Sequence, residues 1–160
     1  MWADLEFTPM PTPGSILGCL IGGAIGDVVG GVPERGDLSV SDDTQLTLAT
    51  CEAIADLGRV EPGEVAAAFV RWFRARAITG VGSSTLKALR DLEAGAHWAL
   101  SGARGERAAG NGAAMRIAPL AFLLDPADPG QRVIVRDVCR ITHPSDEAYL
   151  GALAVMIALR

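Results

Sequence analysis

Apolar residues along this chain recur at three- and four-residue intervals, the spacing of a buried helical face, and no run alternates as a strand would. Ser15 to about Val29 is nearly all apolar, with Gly18, Gly22, Gly26 and Gly30 at every fourth position. Each interior glycine costs a helix up to ~1 kcal/mol relative to alanine, so this smooth stripe implies compensation from helix packing or from close approach of a ligand. After a charged loop over 32–40, Ser41 predicts an N-cap. Asp42 and Asp43 then fall in the first turn, Leu46, Ala49, Ala53 and Leu57 on the apolar face, and Gly58 at the stop. Pro62 suits the first turn of the next helix, whose buried stripe is Val65, Phe69, Trp72 and Phe73. Gly80–Ser84 interrupts the pattern, and a helix is predicted from about Ser84 to Leu100. A polar, Gly-rich loop over 101–112 follows. The apolar segment Ala113 to Leu124 must break or kink at Pro119, and Gln131 to Ile141 is amphipathic.

The last element differs. Ser145 predicts an N-cap, Asp146 and Glu147 occupy the first turn, and Tyr149 to Leu159 is apolar on every side. Such a helix must be buried all round, yet it reaches Arg160 with no glycine or other stop signal. The architecture is therefore expected to continue past it. The pattern predicts an all-α, compact multi-helix bundle, incomplete at its C-terminus, with an extended lead-in over residues 1–13 and one helical domain over 14–160.

Composition agrees: 49% of the 160 residues are hydrophobic and only 5% aromatic, which favours closely packed helices over a β-sandwich. The net charge of −5 argues against a general nucleic-acid binder, and Arg132, Arg136 and Arg140, one helical face apart, read as a solvated stripe. Cys19, Cys51 and Cys139 lie in apolar patterns without a CxxC, so they read as reduced core residues of a cytoplasmic protein. Residues 1–13 carry no Lys or Arg, so no secretory leader is expected. The apolar stretch from Ser15 to Val32 is short for a membrane span, holds six glycines and is interrupted by Asp27; a buried soluble helix is expected, and no membrane partner.

The chemistry centres on Ser41-Asp42-Asp43-Thr44. Two adjacent carboxylates at a helix N-terminus gain ~0.3–1 kcal/mol each from the helix dipole, an ordinary capping arrangement. The dipole offsets only part of their mutual repulsion, whereas a hard cation such as magnesium or manganese would resolve it using oxygen ligands alone. Asp27, at the end of a Gly-rich helix, opposes the dipole unless it sits near a cation or accepts hydrogen bonds, and is expected to be structural or to support the ligands. No Gly-Lys-Ser/Thr phosphate loop, Gly-x-Gly-x-x-Gly fingerprint or Gly-x-Ser-x-Gly elbow occurs, which sets aside the P-loop, Rossmann and α/β-hydrolase templates.

Four motifs then follow in order: Gly26-Asp27-Val28-Val29-Gly30 with Val32-Pro33-Glu34, Ser41-Asp42-Asp43-Thr44, Gly110-Asn111-Gly112-Ala113-Ala114-Met115-Arg116, and Thr142-His143-Pro144. This set resembles the ADP-ribosylglycohydrolase family, including the dinitrogenase-reductase-activating glycohydrolases. The resemblance covers roughly Ser15 to Arg160 and implies an all-helical fold with a two-metal magnesium or manganese centre. Ser41, Asp42 and Asp43 match metal ligands; Glu34, Asp42 and Asp43 match the catalytic carboxylates. Gly80, Gly82 and Ser83 look like a diphosphate loop, and Gly110, Asn111, Gly112, Met115 and Arg116 resemble a substrate loop, its arginine equally suited to holding the loop. His143 matches a pocket histidine and is also a plausible helix cap. His97 has no counterpart and reads as structural.

The implied activity is metal-dependent hydrolysis at the anomeric carbon of an ADP-ribosyl group on a protein or small molecule. The family's second ligand group, Asp-x-Asp-Thr, is absent, so the chain supplies half a metal centre. Two alternatives stand beside that activity: a non-catalytic ADP-ribose-binding or structural relative, and an unrelated metal-dependent phosphohydrolase. Self-association through an exposed C-terminal helix is also expected.

Overall fold

The computed structural model of the chain describes residues 11–31 and 39–160. Seven α-helices account for most of it: α1 (Pro13–Gly30), α2 (Asp42–Leu57), α3 (Pro62–Arg74), α4 (Ser83–Glu93), α5 (Ala118–Ala121), α6 (Pro129–Arg140) and α7 (Asp146–Ala158). There is no strand among the described residues. Local chemistry sets the helix ends. Thr12 and Ser15 form a reciprocal capping box on α1. Ser41 caps α2, whose other end closes on Gly58 in the left-handed conformation at φ 73°. Asp128 caps α6 by accepting from Gly130 and Gln131, and the Ser145 hydroxyl caps α7 by accepting from Ala148 N–H at 3.1 Å.

The core lies where α2 packs on α3, with α6 and α7 closing over it. Leu46, Phe69, Leu89, Ile117 and Leu120 are fully buried, each contributing roughly 1.5–3 kcal/mol by removal from water. The predicted α3 stripe holds, with Trp72 and Phe73 packed at the margin of the core. Outside it, Arg71 pairs with Glu52 at 2.7 Å and Arg136 with Asp146 at 2.6 Å, the solvated charge expected there.

Several expectations are corrected. The helix predicted to reach Leu100 ends at Glu93, because Gly95 adopts φ 93° and turns the chain into a 3-10 turn at Trp98–Leu100. His97 caps that turn, its Nδ1 accepting from Ala99 N–H at 3.2 Å. The segment around Pro119 splits into a 3-10 turn at Ala114–Arg116 and the short α5. Of the three cysteines only Cys139 is fully buried; Cys19 and Cys51 are half-buried.

The largest correction concerns α1, expected to be a buried helix. None of its residues is buried, and Val29 is 77% exposed. By length and composition this helix is apolar enough to cross a membrane. Nothing lies within 4 Å of where a Cβ would stand on Gly18, Gly22, Gly26 or Gly30, so no described element presses on the glycine stripe. Similarly α7, expected to be buried on every side, buries Ala148, Ala152 and Met156 but leaves Leu150 and Ile157 exposed.

Candidate ADP-ribose cleft and metal half-site

The start of α2 is fixed from α1. The Asp27 carboxylate accepts the Ser41 amide at 2.8 Å and the Ser41 hydroxyl at 2.6 Å. It also takes the Thr44 hydroxyl at 2.6 Å and the Thr44 amide at 3.3 Å. Burial raises the Asp27 pKa, but these hydrogen bonds outweigh it and hold the carboxyl below the usual carboxylate range. A carboxylate at the wrong end of its own helix dipole is thus satisfied by the N-terminus of the next helix.

Asp42 and Asp43 follow. Asp42 is 9% exposed, and burial together with the Asp43 charge pushes its pKa up to about 6, against the pull of its own amide and that of Gly82. Burial and the charge of Asp27 raise Asp43 as well, while the Ser41 hydroxyl lowers it. Three acidic groups with no base among their causes of shift are electrostatically incomplete, which is the condition a divalent cation relieves. The Ser41 hydroxyl spends its hydrogen on Asp27 and accepts the Asp43 amide at 3.3 Å, which leaves one lone pair on its oxygen for a ligand bond. Among the described residues no group of three or more His, Cys, Asp and Glu is arranged to hold a metal, so this donor set fits a hard cation but is partial.

A cleft of about 380 Å³ opens beside these carboxylates. Its lining joins Asp42 and Asp43 to Gly80, Gly82 and Ser83, to Gly110, Asn111 and Gly112, and to Met115 and His143. Gly80 has φ 79°, a conformation suited to glycine, and Gly82 caps α4 with no side-chain hydrogen bond. Gln45 holds this loop against α2: its amide donates to Thr79 Oγ1 at 3.0 Å and its carbonyl accepts Thr79 N–H at 2.7 Å. Thr47 ties the opposite wall, donating to the Asp43 carbonyl at 2.7 Å and the Met115 carbonyl at 3.3 Å.

The third wall is a backbone-on-ring contact. A Cβ on Gly112 would stand 2.3 Å from His143 Cε1, and one on Gly110 would stand 3.1 Å from His143 Nε2. The Gly-Asn-Gly loop therefore lies flat on the imidazole, which only glycine permits. Burial, then the Arg116 charge, lowers the His143 pKa to about 4 and keeps it neutral. His143 lines the cleft; the cap of α7 is Ser145.

Two sequence-derived site residues fall elsewhere. Arg116 is fully buried beneath the cleft, its guanidinium 5.0 Å over the Phe69 ring and donating to Val138 O and Thr142 Oγ1, so it holds the wall rather than meeting a ligand. Glu34 lies outside the described residues. Ser84 and Thr85 line the cleft although nothing in the sequence singled them out; as residues in the first turn of α4, beside the Gly-rich loop, they carried a positional signal. Asp27 and Gln45 act from 14 and 34 residues away, and no local pattern announces such pairings.

The described residues form an all-helical bundle with a glycine-lined cleft beside two carboxylates at a helix N-terminus. The profile for ADP-ribosylglycohydrolase matches residues 10–160, and the chain belongs to that family. It is similar to an uncharacterized protein of Archaeoglobus fulgidus, 27% identical over 165 residues, covering 88% of this chain and 53% of that protein. It is also similar to the ADP-ribosyl-(dinitrogen reductase) glycohydrolase of Rhodospirillum rubrum, 26% identical over 167 residues, covering 88% of this chain and 56% of the relative. A solved structure titled ADP-ribosylglycohydrolase-related protein complex superposes with a TM-score of 0.63 at 26% identity, over 91% of this chain and 53% of the other. The chain spans about half the length of the relatives it matches.

Proposed function

We propose that this chain forms the ADP-ribose-binding part of a metal-dependent hydrolase that removes ADP-ribosyl groups from a protein or small molecule. The observation that carries this reading is the convergence of Asp42, Asp43, the α4 N-terminus, the Gly110–Gly112 loop and His143 on one cleft. The start of α4 suits the diphosphate, since a helix N-terminus directs N–H groups and the positive end of its dipole at an anion. Asn111 and His143 offer polar contacts at the other wall. Ser41, Asp42 and Asp43 would hold magnesium or manganese, and when bound such a cation lowers the pKa of a water and orients ribose hydroxyls. Glu34 belongs to the proposal only through the family resemblance.

The partial donor set favours one alternative, an ADP-ribose binder without turnover. In the hydrolase reading, the remaining ligands come from residues other than those described. The test is ADP-ribose binding by calorimetry, paired with ADP-ribose release from arginine- and serine-linked substrates in magnesium or manganese. Expected are binding by the 160-residue chain with little turnover, and release by the chain joined to a carboxylate-bearing complement. Binding without release in every combination supports the binder; absence of both overturns the proposal.

A further inference from the structure

Behind the cleft wall lies a buried arginine that satisfies only one of its three nitrogens. Arg116 is 0% exposed; Nη2 donates to Val138 O at 3.2 Å and Thr142 Oγ1 at 2.7 Å, whereas Nε and Nη1 have no partner. Polar atoms left buried and unmatched forfeit their hydrogen bonds to water, so the arginine is an expensive way to fill space. The contact it does make has a directional effect on its neighbours.

A guanidinium can only donate. Thr142 Oγ1 must therefore accept from Arg116, and its own hydrogen is left for another acceptor. Thr142 is 0% exposed, so water does not supply one. The other hydrogen-bonding atom at Thr142 Oγ1 is His143 Nδ1, at 2.9 Å. The hydroxyl thus donates to Nδ1, Nδ1 serves as acceptor, and the ring proton resides on Nε2. Nε2 is the atom nearest the Cβ position of Gly110, at the wall of the cleft.

The backbone around this pair is held independently. Thr142 and His143 amides both reach the Cys139 carbonyl, at 3.3 and 3.0 Å, and the Ser101 hydroxyl donates to Ile141 O at 2.7 Å. Gly102, at φ 90°, lets its loop approach so closely that a Cβ would stand 2.7 Å from the Thr142 carbonyl.

We propose that Thr142, polarised by Arg116, is a positioning residue that holds His143 in the Nε2–H form, so that the cleft presents a neutral hydrogen-bond donor to an oxygen of its ligand. This rests on the ligand cleft described above, and it assigns the direction of one hydrogen bond within it. The lowered His143 pKa is consistent, since a neutral ring is the state in which a tautomer matters.

The readout is the pair of ring-nitrogen shifts of His143 in a long-range proton–nitrogen spectrum at neutral pH. Wild type should show a pyridine-type Nδ1 and a pyrrole-type Nε2. Thr142→Val should average the two nitrogens as both tautomers populate, and Thr142→Ser should restore the wild-type pattern. ADP-ribose affinity should fall about tenfold in Thr142→Val and recover in Thr142→Ser, the effect of one misdirected buried hydrogen bond. A wild-type ring protonated on Nδ1, or a Thr142→Val ring indistinguishable from wild type, overturns the proposal. If Thr142→Val does not fold, the wild-type and Thr142→Ser spectra decide. ADP-ribose that binds nowhere on wild type defeats the cleft reading, whereas the ring shifts judge Thr142 without any ligand.

Discussion

Asp27 grips Ser41 by both its amide and its hydroxyl, at 2.8 and 2.6 Å, and so joins the end of α1 to the start of α2. Asp27→Ala removes the acceptor for these bonds and for those from Thr44. Net losses of ~0.5–1.5 kcal/mol per bond, partly replaced by water at this half-buried site, predict a destabilisation of about 1–3 kcal/mol in denaturant unfolding. Divalent-cation affinity should fall in the same variant, because Ser41 and Asp43 lose their placement.

Asp42 carries a different trade. Burial and the neighbouring Asp43 charge disfavour its ionised form. Asp42→Asn should therefore stabilise the metal-free chain by on the order of 1 kcal/mol and raise its melting temperature. Magnesium or manganese at ten times its dissociation constant should stabilise wild type by about 1.4 kcal/mol and leave Asp42→Asn unmoved. A thermal-shift titration reads both effects.

His143 predicts an acid-side loss of stability. Its folded pKa, lowered from 6.5 to about 4 by burial and then by the Arg116 charge, means the unfolded chain binds a proton before the native chain does. Stability is full above the unfolded pKa and declines as pH falls from about 6.5 to 4, by up to about 3 kcal/mol. Below that both states are protonated and this contribution is flat. Unfolding curves of wild type and His143→Gln across this window should converge as pH falls.

Gly112 is expected to tolerate nothing larger. A methyl group would overlap the His143 ring at 2.3 Å, so Gly112→Ala must displace the ring or the loop. Overpacking of that kind costs about 1–3 kcal/mol, and ADP-ribose affinity should drop with it. Calorimetry and thermal unfolding on one preparation test the pair of effects.

The hydrophobic pattern disclosed the helices because their apolar faces obey one period, and the Ser-Asp-Asp-Thr segment stood out because adjacent carboxylates at a cap need a charge partner. The Gly110–Gly112 loop was legible only as an ordered motif; that its glycines exist to admit the His143 ring required coordinates. The sequence leaves Arg116 open between loop support and ligand contact for a physical reason: a 3-10 turn has no amphipathic period, so its sequence position does not say whether a side chain faces cleft or core. The end of α4 was missed although Gly95 signalled it, since a lone glycine in a helical pattern is usually tolerated. Burial of α1 and of every side of α7 was misjudged, because apolar composition says what a helix would gain from being covered and not whether the described residues cover it.

That unmet need makes a last prediction. Leu17, Ile21 and Ile25 are each at least half exposed on α1, as are Leu150 and Ile157 on α7. Patches of this kind drive association, so the isolated chain should elute above its monomer mass and bind hydrophobic dyes. The glycine stripe supplies a finer gauge. With nothing within 4 Å of its Cβ position, Gly22→Ala should stabilise the solitary chain by up to ~1 kcal/mol through helix propensity alone. Once another helix rests on the stripe the same methyl group collides with it and destabilises by about 1–3 kcal/mol. The effect of one carbon atom therefore changes sign with the company α1 keeps.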